Sequence, residues 1–173
     1  MLPSKAGAAA LMLCLAAPAA LFSAAWPLSL RDGIPKSLPG WDPAPRDPLP
    51  DTDENEMGTY TEVSRFFQKI EPSAARQFRI VVQDYGKSAD LEAAIRKAMA
   101  EAGKTAGVET AETKVGGFPA YAITDPSQGQ PTTLVTVVVS PGRLVLGQGA
   151  NVEQPDALKL LARVDFAKVA AAQ

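Results

Sequence analysis

The sequence predicts an α+β domain: an antiparallel sheet of about five strands, a helix inserted between strands, and C-terminal helices packed on one face. Three observations carry this. Residues 134–139 are the densest β-branched run in the chain, and past Ser140-Pro141-Gly142-Arg143 the apolar pattern resumes at Leu144, Val145 and Leu146. Two apolar runs about a Pro-Gly turn make an antiparallel hairpin, and its Val content places it at the centre of a sheet. Residues 88–103 repeat apolar side chains at helical steps, and residues from about 154 onward do so again behind Pro155.

The first 25 residues are expected to lie outside that domain. Lys5 is the only charged side chain before Arg31, and Leu11, Met12, Leu13, Leu15, Leu21 and Phe22 follow it. A positive start, an apolar run and the small residues Ser23-Ala24-Ala25 describe a secretory signal peptide, with cleavage before Trp26. The stretch is also long enough to span a bilayer, so an uncleaved anchor is the rival reading. Cys14 falls inside the apolar run, and Leu13 before it is not the small residue that lipidation would want.

Cys14 is the only cysteine and the chain of 173 residues has no His. The mature protein therefore has no thiol chemistry, no His-based triad and no His-ligated metal. The formal net charge is −2, and loss of Lys5 makes it one unit more negative. This balance gives no electrostatic footprint for nucleic acid.

Residues 26–56 change composition. Pro27, Pro35, Pro39, Pro43, Pro45, Pro48 and Pro50 favour extended chain, and we expect an exposed lead-in anchored by Trp41. It ends in an acidic run. Asp51, Asp53, Asn55 and Glu62 fall at the first, third, fifth and twelfth places of a calcium loop, but Glu56 stands where that loop needs Gly. The expectation is a solvated acidic loop, and no metal or cofactor site. Residues 57–173 form the single domain.

Within it, residues 59–69 and 77–85 read as a first hairpin turning near 71–75. In the helix at 88–103, Ser88 is the expected N-cap, and Asp90 and Glu92 sit in the first turn. Leu91, Ala94, Ile95, Ala98, Met99 and Ala102 make its apolar face, with Arg96, Lys97 and Glu101 towards the other side. A strand near 108–113 leads through a tight turn or bulge at Gly116-Gly117 to Tyr121-Ala122-Ile123. The central hairpin, 132–151, needs a bulge or longer loop, because a bare type II turn splays its strands. Gly147 and Gly149 mark close backbone approach. In the C-terminal helix Leu158, Leu161 and Ala162 face inward. Asp165 caps a last short helix, with Phe166, Val169 and Ala170 inward.

The order of Leu38-Pro39-Gly40-Trp41, a strand pair, an Ala-rich helix, Val115-Gly116-Gly117-Phe118-Pro119-Ala120, a Val-rich hairpin and a final helix resembles the PsbP-like fold, an antiparallel sheet covered by helices. It is also similar to exported proteins of Gram-negative bacteria with a late Gly-Gly-Phe/Tyr-Pro-Ala segment. The resemblance covers about residues 36–171. It implies an accessory or binding role and carries over no catalytic residue.

Candidate chemistry is sparse. Asp84, Tyr85 and Lys87, at a strand end, are the one candidate pocket lining. Ser140 has no His to activate it. The function expected is an exported, periplasmic or secreted, non-enzymatic binding or accessory domain for a protein partner or small ligand. The alternatives are a membrane-tethered domain, with residues 26–56 as its stalk, and a hydrolase using carboxylates alone.

Overall fold

The computed structural model describes residues 28–44, 50–72, 74–86, 90–126 and 131–172. The proposed signal segment, Lys87 and Ser88 lie outside them. The architecture is mixed α/β with an antiparallel sheet, and the sheet has eight strands rather than about five. In chain order the elements are α1 (Leu28–Asp32), β1 (Asp42–Pro43), β2 (Asp51–Asn55), β3 (Gly58–Ile70), β4 (Ala75–Asp84), α2 (Leu91–Ala102), β5 (Glu109–Val115), β6 (Phe118–Asp125), β7 (Thr132–Ser140), β8 (Arg143–Ala150), α3 (Gln154–Leu161) and α4 (Phe166–Ala171). The sheet order is β1-β3-β4-β8-β7-β6-β5, with β2 pairing β3 further along the same edge.

The additional strands come from the segment expected to be an exposed lead-in, and that expectation is corrected. Leu30, Ile34 and Leu38 are buried in the main core. Buried Arg65 donates to the carbonyls of Ile34 and Pro35, at 3.3 and 2.9 Å, fastening that segment to β3. The acidic run is a strand, not a loop: β2 pairs in register with Gly58–Glu62, Asp51 opposite Glu62 and Asp53 opposite Tyr60. Its polar sequence has little strand propensity, and the open edge of β3 decides its conformation. Trp41 does dock, its ring 6.3 Å from Phe78 with the Arg76 guanidinium 5.6 Å above it.

The central hairpin stands as expected. β8 and β7 lie mid-sheet, and the register slips between Val138 and Ser140, leaving Val139 as the extra residue of a bulge. The Gly116-Gly117 turn has φ of 60° and 88°, the twist that a two-residue hairpin prefers.

Alternation along the strands divides the sheet into two faces. On one face lie Val63, Phe67, Phe78, Ile80, Val82, Val145, Val135, Val137, Ala120 and Ala122, packed with side chains of α3, α4 and the chain around α1. Gly147 and Gly149 are on this face. A Cβ at Gly147 would stand 2.8 Å from Leu161 and Phe78, and one at Gly149 would stand 2.7 Å from Val152. Their bare backbone lets the α3 region settle onto β8.

Two inward assignments fail: Ala162 and Ala170 are exposed. Ala162 is the C-cap of α3, and Ala157 with Leu161 forms the buried side instead. In the six residues of α4, Phe166 and Val169 are the buried pair. Asp165 caps that helix as expected, accepting from the Lys168 N–H at 3.1 Å.

Candidate functional site

The second face carries Tyr60, Tyr85, Tyr121 and Leu144, with Leu91, Ile95 and Met99 of α2 packed on them. A single helix of twelve residues cannot cover this face. It leaves a cleft of about 750 Å³ between α2, the β2–β3 turn and strands β6, β7 and β8. Register builds the floor. Thr136 of β7 stands opposite Tyr121 of β6 and Leu146 of β8, and Leu134 stands opposite Ile123. Ala94, Ile95, Ala98 and Met99 form the α2 wall, and Met57 faces them from the β2–β3 turn. The charged lining residues, Glu56, Lys97 and Glu101, are all exposed and so lie at the mouth.

Each wall is held by a polar group at its edge. Asp90, not Ser88, caps α2, its carboxylate accepting from the Ala93 N–H at 3.1 Å. The Tyr121 hydroxyl donates to Glu92 at 2.5 Å. Arg96 reaches both Glu112 oxygens at 2.7 and 2.8 Å and Glu92 at 3.1 Å, with its guanidinium 5.2 Å from the Tyr121 ring centre. Burial, then the Glu92 hydrogen bond, pushes the Tyr121 hydroxyl up to about 12. The Tyr121 hydrogen bond, then that from Arg96, holds the Glu92 carboxyl below its usual range.

The β2–β3 turn is fastened by a chain of hydrogen bonds across β3 and β4. The Asn55 amide donates to the Tyr85 hydroxyl at 2.8 Å, which donates to the Gln83 carbonyl oxygen at 3.1 Å. The Gln83 amide donates to Glu62 at 3.2 Å, and Glu62 pairs with Arg79. Burial raises the pKa of Tyr85. The Asn55 side-chain oxygen also accepts from the Met57 N–H at 2.9 Å, which closes the turn and sets Met57 over the cleft.

One lining residue is chemically out of place. Thr136 is only 7% exposed, yet its hydroxyl has no hydrogen-bond partner among the described residues. No buried side-chain atom is left unsatisfied among them, so this hydroxyl opens onto the cleft.

Of the sequence candidates, Asp84 and Tyr85 together line a shallow pocket of about 310 Å³ at the end of β4, with Tyr60 and Gly86, although their side chains are engaged on different faces. Asp84 points to the packed face and binds Arg143 at 2.9 Å. Arg143 in turn donates to the Val169 and Ala170 carbonyls at 3.0 and 3.1 Å, so the pair anchors α4. Tyr85 turns to the opposite face and Lys87 lies outside the described residues. Ser140 does not line the cleft. Asp51 and Asp53 alternate along an extended strand, and Glu62 is engaged by Arg79 and Gln83. The cleft and Thr136 were missed. The available signal was the alternation Leu134, Thr136, Val138 against Val135, Val137, Val139, which sets one polar residue among apolar neighbours on one side of β7.

No family model matches the chain, and no curated protein matches it.

Proposed function

We propose that the protein is an exported, non-enzymatic binding domain and that the cleft beneath α2 is its small-molecule site. The observation that carries this is the cleft itself, about 750 Å³ of mostly hydrocarbon-lined space on a built floor. That size lies within the range of small-ligand sites, roughly 300–1,000 Å³, and the pattern of apolar walls with few polar groups is theirs as well. The floor offers one hydroxyl not already engaged, that of Thr136, and the carboxylates sit at the mouth, so the lining is suited to holding a molecule rather than converting it. Periplasmic or secreted location rests on the tripartite pattern of residues 1–25. The PsbP-like resemblance points the same way, to an accessory or binding role.

Binding is tested by titrating the isotope-labelled protein with small apolar compounds and following backbone amide shifts. Shifts confined to Ile95, Met99, Ile123, Leu146 and their neighbours are expected. Shifts spread over the packed face, or none with any compound, would remove the cleft from consideration. Export is tested by N-terminal sequencing of protein from the cell exterior or periplasm, which should begin near Trp26. Material beginning at Met1 would favour the tethered form.

A further inference from the structure

From the lining chemistry we infer the class of molecule the cleft takes: an uncharged, largely hydrocarbon compound carrying one hydrogen-bonding oxygen, placed to pair with the Thr136 hydroxyl. This rests on the cleft being the binding site. Two independent observations lead to it.

The first is the unpartnered hydroxyl. Thr136 lies mid-floor, between Tyr121 and Leu146, and only 7% of it is exposed. Open to the cleft, this hydroxyl is within reach of water, and a ligand that displaces the water without offering an oxygen would leave it unpaired at a desolvation cost. Its neighbours cannot serve it. Tyr121 spends its hydroxyl on Glu92, and Ile123, Leu134, Leu144 and Leu146 have only hydrocarbon to offer. A ligand carbonyl or hydroxyl over the floor would satisfy it. A β-branched residue suits this strand position, and Val in place of Thr would fill it without the cost. The oxygen is therefore the feature that needs a reason.

The second is charge. An anionic amphiphile needs a surplus of cations at the mouth of its site, and a cationic one needs a surplus of carboxylates. Here Glu101 already pairs with Lys104 at 2.7 Å. That leaves Glu56 and Lys97, one of each sign. Neither sign is favoured at the mouth, and no charged group lies on the floor to meet an ion that went deeper. Burying an uncompensated charge there would cost far more than the apolar contact returns. The complement of this lining is a neutral body.

Three probes of one shape separate the parts of the inference: acetylnaphthalene, a neutral ketone; ethylnaphthalene, its oxygen-free analogue; and naphthoate, an anion. Dissociation constants are read from amide-shift titrations of the purified chain and of Thr136→Val, which keeps side-chain volume and strand preference. The ketone should bind the wild-type chain about fivefold tighter than the hydrocarbon, the worth of one neutral hydrogen bond. Naphthoate should bind weakest. In Thr136→Val the advantage of the ketone should vanish, while ethylnaphthalene binds as well or better. If ketone and hydrocarbon bind the wild-type chain equally, or if Thr136→Val leaves their ratio unchanged, the role given to Thr136 is overturned while the cleft remains a binding site. If naphthoate binds tightest, the inference of a neutral ligand is overturned. If none of the three shifts the cleft amides, the binding reading and the inference fall together.

Discussion

The sheet presents two faces built from the same strands, and they end in different states. One face is covered by three helices and closes into a dry core, with Phe67, Phe78, Ile80, Val135, Val137 and Val145 all fully buried. The other has one helix and remains partly open over Leu134, Ile123 and Leu146. Apolar content does not explain the difference, since both faces of β7 and β8 are largely aliphatic. What differs is how closely the cover can approach. On the closed face Gly147 and Gly149 remove side chains where α3 and Val152 arrive. On the open face α2 is held off along one side by the Tyr121–Glu92–Arg96–Glu112 group, and the β2–β3 turn stands opposite, tied by Asn55 to Tyr85. Leu91, Ile95 and Met99 still pack on the sheet, and a polar clamp on each wall fixes the sides of the gap.

The strongest test of the closed face is Val137→Asp. The substitution removes about 1.5–3 kcal/mol of apolar burial and places an unpaired charge in the core at further cost. The total approaches the roughly 5–15 kcal/mol that stabilises a whole domain. The purified variant should be unfolded or nearly so, with no cooperative urea transition of wild-type amplitude. A normal transition would mean that the closed face is not the core.

Much of that closed face was legible in the sequence, because it follows from period. The 2.0 repeat of the hairpins, the Pro-Gly turn with its bulge, the Gly-Gly turn and the Asp165 cap are local patterns with local causes. The N-terminal strands were not legible. Asp-Thr-Asp-Glu-Asn has the composition of a loop, and pairing across a two-residue turn with the open edge of β3 makes it a strand. Leu30, Ile34 and Leu38 were hidden by the prolines around them, although a short helix and isolated anchors need no long periodic run. The cleft was invisible for a related reason. Its existence depends on how far α2 stands from the sheet, which side-chain pairing across residues 92, 96, 112 and 121 decides and no local pattern records.

The approach distance itself is tested by two adjacent residues of β8 that point to opposite faces. Gly147→Ala puts a Cβ 2.8 Å from Leu161 and Phe78, inside van der Waals contact. Overpacking of this kind costs about 1–3 kcal/mol, more than the smaller entropic gain from replacing a Gly. Gln148→Ala, on the exposed side, should stay within about 0.5 kcal/mol. Urea midpoints of the two variants decide. If they agree, close backbone approach is not what seals the closed face.

On the open face, Tyr121 links stability to pH. Its folded pKa, about 12, lies above the ordinary value of 10.0, because burial and Glu92 disfavour the phenolate. A raised pKa means that this stabilisation is fully present below pH 10 and is lost as pH rises through 12. Tyr121→Phe should therefore flatten the fall in urea midpoint across that window. Tyr60 and Tyr85, also raised, leave a residual slope. An unchanged slope would show that burial and Glu92 do not hold the Tyr121 pKa above its ordinary value in the folded protein.

The smallest effect is expected at the mouth of the cleft, from Lys97→Asp. Lys97 is exposed at the rim of the cleft, so no apolar burial is lost. The new carboxylate stands one turn before Glu101, and like charges at that spacing cost roughly 0.2–0.5 kcal/mol. Asp is also a slightly poorer helix former than Lys, by a few tenths of a kcal/mol at most. Midpoints in urea should fall by no more than about 1 kcal/mol equivalent, and added salt should recover part of that. Set beside Val137→Asp, the same carboxylate is introduced on either side of the sheet, once under closed cover and once at an open rim. Two midpoints close to wild type would mean that Val137 is not buried and that the closed face is not the core. Two collapsed proteins would instead mean that the rim of the cleft is covered as well, and that the open face is open only until something larger than a small ligand covers it.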